Sequence, residues 1–188
     1  GLDRAPEVKT LRRKLSRLAA PGGAAELARA PAARSAPLRG VAQGFLYVDG
    51  HVRVYHGRHQ LPKTHVTRLR LSLPATTEYW VNDMAGDPLF VVTAEAHAGL
   101  VTMLPVVLRE VRALVGQRRV SVVFDRGGWS PNLFLKLVAE GFDFLTYRKG
   151  RTRRVPRKHF QQHRAVFDAR EVRYTLADQG IHLLGGKL

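Results

Sequence analysis

Apolar residues fall along this chain in two alternating rhythms, and the rhythms divide it into segments. Residues 5–20 carry Val8, Leu11, Leu15, Leu18 and Ala19 at helical spacing, with Lys9, Arg12, Arg13, Lys14 and Arg17 on the opposite face. Pro21-Gly22-Gly23 ends that helix, and a short second one is expected near 24–30, followed by a Pro/Ala/Arg linker. Residues 41–56 read as strand, turn, strand: Val41 to Asp49, then Val52 to His56. After Pro74, the runs Thr76 to Val81 and Leu89 to Ala94 flank a turn containing Gly86-Asp87 and form a hairpin.

The later segments alternate between helix and strand. A helix is predicted over 102–115, capped by Thr102, with Pro105 in its first turn and Leu104, Val107, Leu108, Val111, Leu114 and Val115 facing a core. Val120 to Asp125 is so continuously apolar that a strand buried on both faces is expected. Ser130-Pro131 supplies a cap and first residue for a helix that Gly141 stops, and Phe142 to Arg148 is the next strand. Beyond 160, Ala165 to Phe167, Glu171 to Leu176 and Ile181 to Leu184 read as short strands. The expected fold class is therefore α/β: a mixed sheet of three antiparallel strands, then two helix-linked parallel strands, because parallel pairing requires a crossover of that length. A basic helix precedes it and a β-rich extension follows. The boundaries are 1–40 for the arm and linker, 41–150 for the core, and 151–188 for a basic loop and the start of a β-rich insertion.

Charge narrows the partners. Among 188 residues, 31 Lys and Arg against 15 Asp and Glu give a net charge of +16. Such an excess attracts polyanions, since each neutralised phosphate releases condensed counterions; ribosomal and membrane-surface proteins share the property. The run Arg148, Lys149, Arg151, Arg153, Arg154, Arg157 and Lys158 puts seven bases in eleven residues with no acid. It is suited to a phosphate backbone, with a solvated loop as the alternative. Arg126 and Trp129 beside Asp125 could clamp or stack on DNA, although the tryptophan is as well suited to plugging a core; Arg68 and Arg70 are weaker candidates. There is no cysteine, so thiolate metal sites are excluded. His51, His56, His59 and His65 cluster without any compact zinc spacing. No apolar stretch reaches the roughly 20 residues a membrane span needs.

Two aspartates end strand-like runs: Asp49 in Tyr47-Val48-Asp49-Gly50-His51, and Asp125 in Phe124-Asp125-Arg126-Gly127-Gly128-Trp129-Ser130. Taken singly, Asp49-Gly50 is also a hairpin-turn signal, and Asp125 an ion-paired strand end. Together with the strand order, they resemble the first and second acid motifs of DDE-type insertion-sequence transposases, whose catalytic core has a ribonuclease H-like fold; the resemblance covers about residues 40–150.

The resemblance implies that Asp49 and Asp125 are catalytic metal ligands on adjacent strands for Mg2+ (or Mn2+). Two such ions would assist hydrolysis at a DNA end, and the freed 3′-hydroxyl would then attack target DNA. It implies DNA as partner, with self-association on DNA left open, and a cytoplasmic, nucleoid-associated location. A third acid on a later helix is also implied. However, no helix with a Tyr, Arg, Glu and Lys signature follows Asp125: Glu171 sits in an alternating segment, and Asp168 and Asp178 sit in turns. The expectation is a fragment whose third carboxylate lies beyond Leu188 in a longer parent. Glu95 is a weaker additional ligand candidate. The competing readings are a non-catalytic basic nucleic-acid-binding domain, degenerate or domesticated, and, ranked low, a metal-dependent phosphatase.

Overall fold

The computed structural model describes residues 5–20, 22–37, 44–150 and 154–186. The chain divides into two compact units, Gly1–Tyr147 and Arg148–Leu188. The first contains helices α1 (Val8–Leu18) and α2 (Gly23–Ser35), strands β1 (Phe45–Val54), β2 (Lys63–Val66), β3 (Leu71–Asn82) and β4 (Pro88–Glu95), helix α3 (Leu100–Val115), β5 (Val120–Phe124), helix α4 (Pro131–Ala139) and β6 (Phe142–Thr146). The second contains the antiparallel hairpin of β7 (Gln161–Phe167) and β8 (Arg170–Leu176).

The sheet of the first unit is mixed. Its strands run in the order β2-β3-β1-β5-β6, and β4 also pairs with β3. β3 is antiparallel to both β1 and β4, while β5 lies parallel to β1 and β6 parallel to β5. Helices α3 and α4 supply the connections that parallel neighbours need. One face carries the core: Leu46 and Val48 of β1, Tyr79 and Val81 of β3, Val122 and Phe124 of β5 and Phe142 of β6 are all buried. Leu104, Val107, Leu108 and Val111 of α3 are buried with them, as are Leu133, Phe134 and Leu137 of α4. Each such aliphatic side chain contributes about 1.5–3 kcal/mol by leaving water. Phe134 stacks on Phe144 with centroids 4.6 Å apart, which seats α4 on β6.

Several expectations change. Asp49-Gly50 is no turn: β1 runs unbroken through it, with Asp49 opposite Trp80 and Gly50 opposite Tyr79. The glycine is there for close packing, since a Cβ at Gly50 would meet Tyr79 Cε1 at 2.9 Å. Residues 41–43, assigned to the start of this strand, lie outside the described residues. β3 begins at Leu71 and passes through Pro74. The Pro74 carbonyl accepts from the Tyr55 N–H, just past the end of β1, so the proline ring costs no bond of the β1–β3 ladder. β2, paired with this first part of β3, was not expected as a strand. β5 is not buried on both faces, because Ser121 and Val123 are only half-buried.

The helices also differ in extent. α2 continues through Pro31 to Ser35, where a linker was expected; its alanines favour helix strongly enough to tolerate the N–H that proline lacks. α3 starts at Leu100 behind Gly99, so Thr102 is not its cap and Pro105 lies past the first turn. By contrast, Ser130 caps α4, its hydroxyl accepting from Leu133 N–H at 3.4 Å, and Gly141 ends it at φ 74°. The third C-terminal strand is absent among the described residues. Leu184–Gly186 instead forms a 3-10 turn, with Leu184 and Gly185 both at positive φ.

Candidate active site where two parallel strands meet

Parallel pairing of β1 with β5 sets the geometry of the site. The register runs from Phe45 opposite Ser121 to Val48 opposite Phe124, so Asp49 and Asp125 are the next residue on each strand. Adjacent strands lie about 4.8 Å apart. Side chains alternate across a sheet, and Val48 and Phe124 both point into the core. Asp49, within β1, therefore projects from the opposite face; Asp125 follows the end of β5 as the cap of a 3-10 turn, and both are exposed. Two residues far apart in sequence are thus neighbours where the pairing of β1 with β5 ends.

Asp125 is held at several points. Its Oδ1 accepts from Gly127 N–H at 2.8 Å, and its carbonyl accepts from Gly128 N–H at 3.1 Å and from the Thr146 hydroxyl at 2.9 Å. The chain can turn this tightly only because residue 128 is glycine: a Cβ there would lie 2.5 Å from the Phe124 ring. Asp49 is fixed by its strand, with β3 pairing on one side. Among the described residues, neither carboxylate takes part in an ion pair.

Tyr79 lies under this end of the sheet, its hydroxyl donating to the Ala98 carbonyl. Burial, and secondly the negative charge of Asp125, raise its pKa above the ordinary value. Sequence reasoning missed both Tyr79 and Thr146. Their roles depend on cross-strand register (Tyr79 opposite Gly50, Thr146 opposite Phe124), which has no local signature.

The other candidates are dispersed. Glu95 pairs with Thr76, which faces Arg53, four residues along β1 from Asp49 and about 13 Å away at strand rise, so it does not join the aspartates. Trp129 is half-buried and packs edge-on against Phe134 at 5.1 Å, which makes it a core plug. Arg126, Arg148, Lys149, Arg154, Arg157 and Lys158 are exposed. Arg151 and Arg153 lie outside the described residues. Among the described residues, no group of three or more His, Cys, Asp or Glu side chains is arranged to hold a metal ion. Among the described residues, no helix is long and apolar enough to cross a membrane.

Comparison with known proteins gives three findings. No curated protein matches the chain. Among solved structures, the crystal structure of the Mos1 mariner paired end complex with Mn is similar at 10% identity, with a TM-score of 0.38. The match covers 78% of this chain and 45% of that one, so this chain spans less than half of its length. A family model described as "Transposase protein" matches residues 1–187. With nearly its whole length matched, this chain belongs to that family of transposase proteins.

Proposed function

We propose that this chain is part of the catalytic core of a DDE-type DNA transposase with a ribonuclease H-like sheet, and that Asp49 and Asp125 are two of its metal ligands. The observation that carries the reading is the β1–β5 register, which makes Asp49, within β1, and Asp125, just past β5, exposed neighbours where that pairing ends. The strand order supports the fold assignment, and membership of the transposase family supports the chemistry.

The donor set fits a hard divalent cation. Both side chains offer oxygen, and Mg2+ keeps several waters, so a few carboxylates and a substrate phosphate complete its shell. When bound, Mg2+ or Mn2+ would polarise the phosphodiester and lower the pKa of the attacking water or hydroxyl. The protein's own part is positional. The Gly127 N–H and the Thr146 hydroxyl hold Asp125 in place, and the strand pairing of β1 holds Asp49. Among the described residues no third His, Cys, Asp or Glu joins the pair in a metal-holding group. DNA is the proposed substrate, met by the exposed bases Arg126, Arg148, Lys149, Arg154, Arg157 and Lys158 and, from their sequence, Arg151 and Arg153.

Titrating Mn2+ or Mg2+ into the full chain and its Asp49→Asn and Asp125→Asn variants tests the reading. Both variants should bind metal more weakly while keeping the wild-type circular dichroism. Equal affinity in all three proteins would end it, leaving a non-catalytic nucleic-acid-binding domain.

A further inference from the structure

A hollow of about 250 Å³ opens beside the strand that carries Asp49, lined by Gly50, His51, Val52, Val66, Thr67 and Arg68. Its walls offer a guanidinium, an imidazole, a hydroxyl and the bare backbone of a glycine, and no acid lines it. Among the described residues Arg68 has no ion-pair partner, whereas Arg29, Arg53, Arg119, Arg164 and Arg173 all do. Arg68 is exposed, and the tight turn between β2 and β3 sets its place: Leu69 and Arg70 both donate to the Val66 carbonyl, and Arg70 takes a left-handed conformation at φ 54°. The turn therefore fixes the backbone of Arg68 at the rim of a hollow that β1 also lines.

We infer that this hollow is a phosphate subsite, in which Arg68, with Thr67 and His51, grips a backbone phosphodiester of the DNA strand whose neighbouring linkage lies at Asp49 and Asp125. The inference rests on the transposase reading and adds a substrate contact to it. A planar guanidinium matches the oxygens of a phosphate with two parallel hydrogen bonds, which an ammonium cannot do. At about 30 Å³ per water, the hollow holds roughly eight waters, enough for a partly hydrated phosphate group. His51 lies two residues past Asp49 on β1, about 7 Å along the strand. That is on the order of one to two nucleotides of a strand whose axial rise is roughly 3.4 Å each, so one strand can reach the subsite and the acid pair together.

The test measures binding of a fluorescein-labelled DNA duplex by anisotropy across a salt series. The proteins are the full chain and its Arg68→Ala, Arg68→Lys and Arg119→Ala variants. Arg119 is the control because Asp143 already neutralises it. Losing one phosphate contact should lower the slope of log K against log salt by about 0.9 in Arg68→Ala. Arg68→Lys should keep most of that slope with weaker binding, and Arg119→Ala should leave it unchanged. A wild-type slope in Arg68→Ala overturns the subsite, as does an equal fall in Arg119→Ala or a wild-type chain that does not bind the duplex. Failure of the catalytic reading would look different: metal affinity indifferent to Asp49 and Asp125 beside an intact Arg68 effect.

Discussion

Replacing Gly50 with alanine probes the packing that holds β1 straight beyond Asp49. The added methyl would meet Tyr79 at Cε1 2.9 Å, Cδ1 3.4 Å and Cζ 3.6 Å. The ring cannot swing aside cheaply, because Tyr79 is 3% exposed and its hydroxyl is tied to the Ala98 carbonyl. Overpacking of this kind costs about 1–3 kcal/mol, offset by the ~0.5–1 kcal/mol that alanine gains over glycine in a strand. The net expectation for Gly50→Ala is a loss of about 1–2 kcal/mol. In a Tyr79→Leu background the opposing ring is gone, so the same substitution should be neutral or stabilise by about 0.5 kcal/mol. The coupling energy is then about 1–2.5 kcal/mol, at least twice the scatter of ~0.3–0.5 kcal/mol seen for independent sites. Urea denaturation of the wild type, both single variants and the double variant, with matched slopes, reads it directly. Equal costs for Gly50→Ala in the two backgrounds would refute the argument that Tyr79 dictates glycine at this position.

Two further outcomes follow from contacts away from the acid pair. Arg112 donates to the carbonyls of Gly116 (2.9 Å), Arg118 (2.7 Å) and Glu140 (2.6 Å), and its guanidinium lies 4.1 Å over the Phe142 ring. Arg112→Ala should therefore cost about 2–3 kcal/mol after allowing for solvent at its edge, and a loss below ~0.5 kcal/mol in denaturant titration would contradict the clasp. Glu110 is held below its ordinary value of 4.5 chiefly by the hydrogen bond from Arg29, with burial opposing. A lowered folded pKa means this stabilisation is full above pH 4.5 and is lost as pH falls through the folded value. Amide exchange across helix α2, residues 23–35, should accelerate below pH 4.5 relative to the sheet, and Glu110→Gln should abolish that pH dependence.

Where the chain spoke plainly, the residues did one job each. Ser130-Pro131 and Gly141 bound a helix through capping and positive φ, which are local demands. The apolar stripe of α3 was readable because its burial follows helical period, even though its first turn was misplaced. Asp-Gly at 49–50 was ambiguous for a physical reason: glycine serves both a turn and a close cross-strand contact, and the choice depends on Tyr79, far away in sequence. Pro31 and Pro74 misled for a similar reason, since each sits where a missing N–H can be tolerated. Ile181 to Leu184 has the composition of a strand, but among the described residues it meets no partner edge to pair with.

The sequence by itself determined that the chain is basic enough to seek a polyanion, that its elements alternate as a mixed sheet requires, and that Asp49 and Asp125 each follow a strand-like apolar run. Those are properties of composition and short-range periodicity. Only the tertiary structure decided that the two aspartates are neighbours where β1 pairs with β5, because register is a relation between segments. It also decided that Arg68 is brought against the strand carrying Asp49: the turn that positions it is local, but the strand it meets is not.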